Sequence, residues 1–381
     1  MEMKETDMLI GQKVIGSGSQ VFVIAEIGIN HEGSVSQAEM LIDAAAASGA
    51  DAVKFQSYRV DRMMIPSKDR YAQQTDGAES AYQMLRRCEL SWENQAKLKE
   101  HADMRGVLFL STPFDEESAD FLDSLGVPAF KIASSDLTHV PLLRHVASKG
   151  KPILLSTGMS FLSEVADAIY NLKTGGAKEI LLMHCVSSYP AQPKYMNLRA
   201  LQTLQSYFEL SVGLSDHSEG ILLPLISVAL GAVLIEKHFT LDKNAPGPDN
   251  KSSMDPDDLK LLIKNLRDVE ASLGDGRKRP VDVEEEGRLF GRRSIVAAVD
   301  IRANESIADW MLAFKRPGSG LEPRYSEKII GMTARRNIGK DTILQWEDLT
   351  PAAISESNIE NINTKQGRGA KQTHPLKKRH A

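Results

Sequence analysis

Eight short apolar runs recur along this chain, and nearly all end in residues capable of chemistry. They read VFVIAEIGIN from Val21, AVKFQS from Ala52, VLFLST from Val107, AFKIASS from Ala129, PILLSTG from Pro152, ILLMHC from Ile180, LSVGLSDH from Leu210 and LIEKHF from Leu234. Segments with helical periodicity separate most of them, and strands alternating with helices predict a parallel sheet. Eight such units fill the ~250 residues that a (β/α)8 TIM barrel needs, and such barrels carry their active sites at the C-terminal strand ends. Those ends supply Glu26, Asn30, Lys54, Gln56, Thr112, Lys131, Ser134, Ser156, His217, Glu236 and His238.

The barrel is predicted over residues 21–274. SVSQAEMLIDAAAASG reads as a helix with Ser34 or Ser36 as N-cap and a stop at Gly49; DPDDLKLLIKNLRDVEASLG has Asp255 as cap and Pro256 in the first turn. Residues 1–20 form a leader, with a small hairpin around GQKVIGSGSQ suggested by its Gly/Ser turn. Residues 275–291 hold no strong strand and read as a linker. From Arg292 short β-like runs broken by turn residues predict a small second domain over 292–351, and the polar, basic-ended residues 352–381 predict a disordered tail. A length of 381 residues suits two domains or so, at ~150 residues each.

A net charge of −5 gives no reason to propose nucleic acid or an anionic membrane as partner. No apolar run approaches the ~20 residues of a membrane span, and no secretory signal is visible at the N-terminus. Cys88 and Cys185 are too few for a disulfide framework, so a cytoplasmic, reducing compartment is expected.

His217 and His238 fall at the ends of consecutive strands, near Asp216, Glu236 and Asp249. Two imidazoles there suit a divalent metal such as Mn²⁺, Mg²⁺ or Co²⁺; the alternative is a hydrogen-bonded histidine pair at the barrel mouth. Lys54 and Lys131 lie inside apolar strands, where an ordinary surface lysine does not belong. With Thr112, Ser134 and Ser156 they would hold a phosphate or carboxylate, or one of them would form a Schiff base. Glu26, within VIAEIG, is costly to bury alone. It is either paired with a lysine, or a general base or water-orienting group, or both. Asn30, His31 and Gln56 would address substrate hydroxyls, with a plain loop role open for His31. The GSGS run at 16–19 lacks the strand and lysine of a nucleotide loop and reads as a turn. Cys185 is a nucleophile or, more commonly, a buried structural thiol.

The motifs IAEIGINHEG, GADAVKFQ, STPFD, FKIASSD, LSTGMS, HCVSSYPA, GLSDHSEG, GAVLIEKHFTLDKNAPGPDNKSSMDP and RRSIVAA…KRPGSG together resemble the sialic acid synthase family over about residues 10–350. The resemblance implies a TIM barrel followed by a β-rich antifreeze-like (SAF) domain that swaps across a homodimer. It implies metal-dependent condensation of phosphoenolpyruvate with a 2-acetamido sugar, giving nine-carbon keto acids. It makes His217 and His238 the metal ligands, with Mn²⁺ foremost and Mg²⁺ or Co²⁺ as alternatives. It places Lys54, Thr112, Lys131, Ser134, Ser156 and Ser187 around phosphoenolpyruvate, makes Glu26 the catalytic carboxylate and has Asp249 hold the sugar. Arg316 would reach the N-acyl group from the partner chain. One departure stands on the sugar side: Asn250 occupies a position where the family usually has His, followed by KSS for the common KAS. Two readings compete with this one: a Schiff-base pyruvate aldolase, which needs no metal, and a non-catalytic sugar- or ice-binding protein, which leaves the polar strand tips without a purpose.

Overall fold

The computed structural model describes residues 7–70, 79–245, 247 and 249–351. The chain divides into two compact units, Met1–Gly276 and Arg277–Ala381.

In the first unit an antiparallel hairpin, β1 (Met8–Ile10) and β2 (Lys13–Ile15), precedes eight parallel strands. These are β3 (Phe22–Gly28), β4 (Ala52–Ser57), β5 (Leu108–Pro113), β6 (Phe130–Ile132), β7 (Ile153–Ser156), β8 (Ile180–Cys185), β9 (Val212–Asp216) and β10 (Leu234–His238). Each apolar run of the sequence contributes one of them. Neighbours follow the order β5-β4-β3-β10-β9-β8-β7-β6, so the first and last strands of the eight pair directly. This is a (β/α)8 barrel.

Strands covered on both faces read as continuous apolar runs, and their two-residue period then sorts side chains between the two faces. One parity (Val23, Ala25, Ile27, Val53, Phe55) packs with apolar helix residues such as Leu41 and Leu98. The other parity begins with Phe22, Ile24, Ala52, Leu110, Leu154, Leu181 and Leu234, which cluster with Met8, Ile10 and Ile15 of the hairpin. The same parity, two or four residues further along, carries Glu26, Lys54, Thr112, Ser156, Glu236 and His238. The barrel interior is thus an apolar floor closed by the hairpin, with a polar layer above it. The hairpin turns at Gly11–Gln12; the Gly/Ser run at 16–19, expected to make its turn, instead forms a separate one in which Ser19 N donates to Gly16 O (3.1 Å).

Among the helices, Val35–Ala47 is capped by Ser34, whose hydroxyl accepts from Gln37 N, and Pro256–Leu273 by Asp255, which accepts from Asp258 N. No described helix is long and apolar enough to cross a membrane.

The second unit contains β11 (Ser294–Ala297) paired antiparallel with β12 (Leu312–Lys315), and β13 (Thr333–Ala334) paired with β14 (Leu349–Thr350). Ile295, Ile301, Ile307, Ile329 and Leu344 anchor a small core of its own. The segment 275–291, read as a linker, carries a 3-10 turn (Asp282–Glu284) and an exposed helix (Glu285–Gly291). The predicted disordered tail, 352–381, lies outside the described residues.

Candidate active site

The polar layer opens into a cavity of about 560 Å³ at the C-terminal strand ends. Its lining includes Glu26, Lys54, Gln56, Thr112, Lys131, Ser134, Ser156, Ser187, His217, His238 and Asp249, which the sequence had scattered over more than half the chain. Two glycines make room for this convergence. Gly28 (φ +56°) follows a register shift in β3 after Glu26, and a Cβ there would sit 3.2 Å from Glu26 Oε1. A Cβ on Gly158 would sit 2.6 Å from Ser187 Oγ and 2.8 Å from Ser134 Oγ; with hydrogen there, its N–H donates to Ser134 Oγ at 3.0 Å.

Two lysines and two carboxylates are buried together at the base. Lys54 Nζ lies 2.7 Å from Glu26 Oε2 and 3.7 Å from Glu236 Oε2, and donates to Thr112 Oγ1 at 3.0 Å. Lys131 Nζ donates to Glu236 Oε1 at 3.0 Å, an oxygen that also accepts from Ser215 Oγ at 2.9 Å. Gln56 Nε2 reaches Glu26 Oε1 at 3.4 Å. The formal charges cancel, which is what permits the burial.

The four groups are not equivalent. Burial lifts the Glu26 carboxyl to about 7; Lys54 opposes that rise and the neighbouring Glu236 charge adds to it. Burial also acts on Glu236, but Lys131 and Lys54 outweigh it and hold this carboxyl at about 2. Lys54 is raised, because Glu236 and Glu26 more than offset its desolvation, whereas desolvation lowers Lys131. Glu236 is therefore a permanent anion anchoring the lysines, while Glu26 can exchange a proton near neutrality.

Above this quartet the rings of His217 and His238 lie with centroids 5.3 Å apart. His217 Nδ1–H donates to Val186 O (2.9 Å), so that the neutral ring carries its lone pair on Nε2; burial disfavours the charged ring, but Cys185 and this carbonyl outweigh it and raise the imidazole. Cys185 Sγ is 3.8 Å from the same Nδ1; burial raises this thiol, yet the imidazole outweighs it and brings it to about 7. His238 is held well below the usual imidazole range by burial and by His217. Its Nδ1 is buried without a hydrogen-bond partner, 3.6 Å from Asp249 Oδ2. Among the described residues no group of three or more His, Cys, Asp or Glu side chains is arranged around a metal position. The donor set that is present, two adjacent neutral-capable imidazoles with one nitrogen fixed by a backbone carbonyl, fits a divalent cation that completes its shell with water or substrate oxygens.

Some expected residues stand elsewhere. Asn30 does not line the cavity. It is fully buried, its amide donating to Phe239 O and Ser253 Oγ (both 2.9 Å), and it ties the end of β3 to the loop after β10. His31 is likewise buried, with Nδ1 accepting from Gly33 N at 3.0 Å, which is the loop role. Asp216, expected beside the histidines, has the opposite strand parity to Ser215 and His217 and pairs with Lys237 at 2.7 Å. Arg316 is exposed in the second unit, just after β12. Cys88 is buried, with its thiol raised to about 11 by that burial.

Conversely, the cavity includes residues the sequence reading left without a role. Tyr189 packs its ring 4.1 Å from that of His217 and 5.6 Å from that of His238. Ser215 was legible, since it shares parity with His217 on β9. Met63, Met84, Leu85 and Phe114 also line the cavity, and nothing local distinguishes them from ordinary core residues.

Two family models match the chain: the NeuB family over residues 41–278 and the SAF domain over residues 292–350. The N,N'-diacetyllegionaminic acid synthase of Legionella pneumophila is 43% identical over 346 residues, covering 89% of this chain and 97% of that protein. A pseudaminic acid synthase of Campylobacter jejuni is 34% identical, covering 84% and 94%. The crystal structure of an N-acetylneuraminic acid synthetase from Leptospira borgpetersenii in complex with citrate aligns with a TM-score of 0.66 and 36% identity, over 74% of this chain and 94% of that one.

Proposed function

The chain belongs to the NeuB family, and on that premise we propose that it condenses phosphoenolpyruvate with the open-chain form of an N-acetylated hexosamine. The products are a nine-carbon keto acid of the sialic acid type and phosphate, and the enzyme is of the transferase type. The observation that carries this reading is the pair of buried lysines, Lys54 and Lys131, flanked by Thr112, Ser134, Ser156 and Ser187 and facing two imidazoles across one cavity.

Phosphoenolpyruvate brings a phosphate and a carboxylate, and two ammonium groups with four hydroxyls supply charge-assisted and neutral donors for both. Holding the enol in place aims its C3 at the aldehyde carbon of the sugar, a positioning effect. A divalent cation on His217 and His238, Mn²⁺ foremost, would supply Lewis-acid polarisation of the aldehyde oxygen. As the C–C bond forms, the electron pair of the aldehyde C=O moves to its oxygen and C2 of the former enol becomes oxocarbenium-like. Glu26, poised near neutrality, takes a proton from the water that adds to C2. The tetrahedral centre then collapses to the keto acid as the C–O bond breaks and phosphate leaves with its electron pair; the proton held by Glu26 and the one released from the C2 hydroxyl pass to the sugar alkoxide and the departing phosphate. Asp249, at the histidine end of the cavity, suits a sugar hydroxyl. Arg316 is proposed to act from a partner subunit of a homodimer. The two free, buried cysteines support a reducing cytoplasm.

A Schiff-base aldolase would need a neutral nucleophilic lysine: Lys54 is held protonated by two carboxylates, and Lys131, which burial lowers, is engaged with Glu236 at 3.0 Å. The deciding experiment measures phosphate release from phosphoenolpyruvate with Mn²⁺ and N-acetylated hexosamines offered separately, with His238→Ala as control. Sugar-dependent release that is lost in the control and to EDTA is expected. Release unaffected by chelation, or a lysine adduct trapped by borohydride with pyruvate, would overturn the reading.

A further inference from the structure

His238 is the last residue of β10, and the chain that follows it is tied back to it. Phe239 N donates to Glu26 O (2.8 Å), and the loop that leaves the strand there returns alongside: Met254 N donates to His238 O (2.8 Å) and Thr240 N to Met254 O (2.9 Å). Within the loop the backbone carbonyl of Asp249 accepts from Ser252 N, Ser252 Oγ and Ser253 Oγ (3.1, 3.1 and 2.7 Å). The next residue, Asn250, is buried and accepts the Thr240 hydroxyl through Oδ1 at 2.5 Å. These bonds deliver the Asp249 side chain to one place: its Oδ2 lies 3.6 Å from His238 Nδ1, and both side chains are buried.

That imidazole nitrogen is buried without a hydrogen-bond partner. A buried polar atom left in this way costs free energy and calls for a physical reason. The gap to Asp249 Oδ2 exceeds a hydrogen bond by only a few tenths of an ångström, and contacts of this kind often tighten when the ligand of the site binds. In His217 the same nitrogen is already committed, its N–H donating to Val186 O at 2.9 Å. Resting on the reading above that a divalent cation sits on His217 and His238, we infer that Asp249 is a positioning residue for His238. Its carboxylate takes the Nδ1 proton in a hydrogen bond, which fixes the tautomer and orientation of the ring and leaves the Nε2 lone pair for the cation. One imidazole is thus backed by a neutral carbonyl and the other by a carboxylate, which makes His238 the more basic donor of the pair. Two carboxylate oxygens offer about four lone-pair sites, so the same side chain can serve a sugar hydroxyl as well. The two roles are separable, because the one proposed here acts before any substrate arrives.

The test titrates Mn²⁺ into the full, metal-stripped chain with neither phosphoenolpyruvate nor sugar present, and reads free Mn²⁺ from its EPR signal. Asp249→Asn keeps the size of the side chain and removes the charge; Asp249→Ala removes the acceptor. The Kd for Mn²⁺ is expected to rise about 10-fold in the first and towards about 100-fold in the second, and His238→Ala should abolish binding. A second readout is the rise in thermal midpoint on adding Mn²⁺, taken for each variant against its own metal-free baseline. That rise should shrink in the same order, which a general loss of stability cannot imitate. Unchanged Mn²⁺ affinity in both Asp249 variants, with the damage confined to KM for the sugar, overturns the assignment and leaves Asp249 to the sugar alone. If the unaltered chain binds no Mn²⁺ at a site sensitive to His238→Ala, the assignment falls together with the cation reading. Neither substrate enters the assay, so a failure of the condensation leaves its result standing.

Discussion

Lys237 Nζ lies 2.7 Å from Asp216 Oδ2 across the β9–β10 ladder, where the two are register partners, and both side chains are buried on the outer side of the barrel wall. The next residues along each strand are His217 and His238, which face inward. Asp216 also accepts from Ser218 N (3.0 Å) and Ser218 Oγ (2.9 Å), and Lys237 donates to Ser218 O. One outward ion pair therefore fixes the relative height of the two strand tips that carry the imidazoles.

Lys237→Met leaves Asp216 charged and buried without its counter-ion. Removing one partner of such a pair costs about 3–5 kcal/mol, and denaturant unfolding should show a loss of that size. Asp216→Asn combined with Lys237→Met should recover much of it, because no uncompensated charge remains. A double variant no more stable than the single one would mean that the pair is not what stabilises the wall.

The pH dependence follows from Glu26. Its carboxyl sits at about 7, above the ordinary glutamate value of 4.5. A raised acid is protonated at higher pH than usual, and only the ionised form can take a proton from water. Activity should accordingly fall as pH drops through about 7. Glu26→Gln should remove that limb and lower kcat by ~10²–10⁴. A variant that retains the limb would assign it to another group.

The two lysines should separate in their effects. Lys54→Met removes the cation that contacts both Glu26 and Glu236, so the acid limb should move upward in addition to the loss of phosphoenolpyruvate binding. Lys131→Met removes a cation paired with Glu236 alone, and should raise KM for phosphoenolpyruvate with a smaller shift of the limb. Initial-rate measurements across pH on both variants distinguish them; identical profiles would contradict the division of labour.

Asn30 acts on the site through the loop after β10. Asn30→Ala leaves Phe239 O and Ser253 Oγ without a buried donor, a loss of about 1–3 kcal/mol. The loop carries Asp249, so KM for the sugar should rise while KM for phosphoenolpyruvate stays near its original value. A rise in both, or in neither, would show that the loop is held by other contacts.

The sequence by itself determined the barrel and most of its rim. Eight apolar runs, nearly all carrying Glu, Lys, Ser, Thr or His towards their ends, are satisfied by strands buried on both faces with their polar ends gathered at one end of a barrel, because charged groups inside apolar strands must converge to be tolerated. Parity also separates Ser215 from Asp216. Lys237 shows where local reading stops. It has the same signature as Lys54 and Lys131, a lysine in an apolar strand, yet only the pairing of β9 with β10 sets it against Asp216 outside the barrel. Asn30 reads as a substrate group, and the structure spends it on holding the loop after β10, since its hydrogen-bond partners 209 and 223 residues away are invisible in a local window; for His31 the loop role left open in the sequence is the one found, with Gly33 N only two residues away. The apolar wall of Ile29, Met63, Met84, Leu85 and Phe114 likewise exists only in three dimensions. Each member is an ordinary hydrophobe in sequence, and its meaning comes from packing that leaves one side facing the cavity.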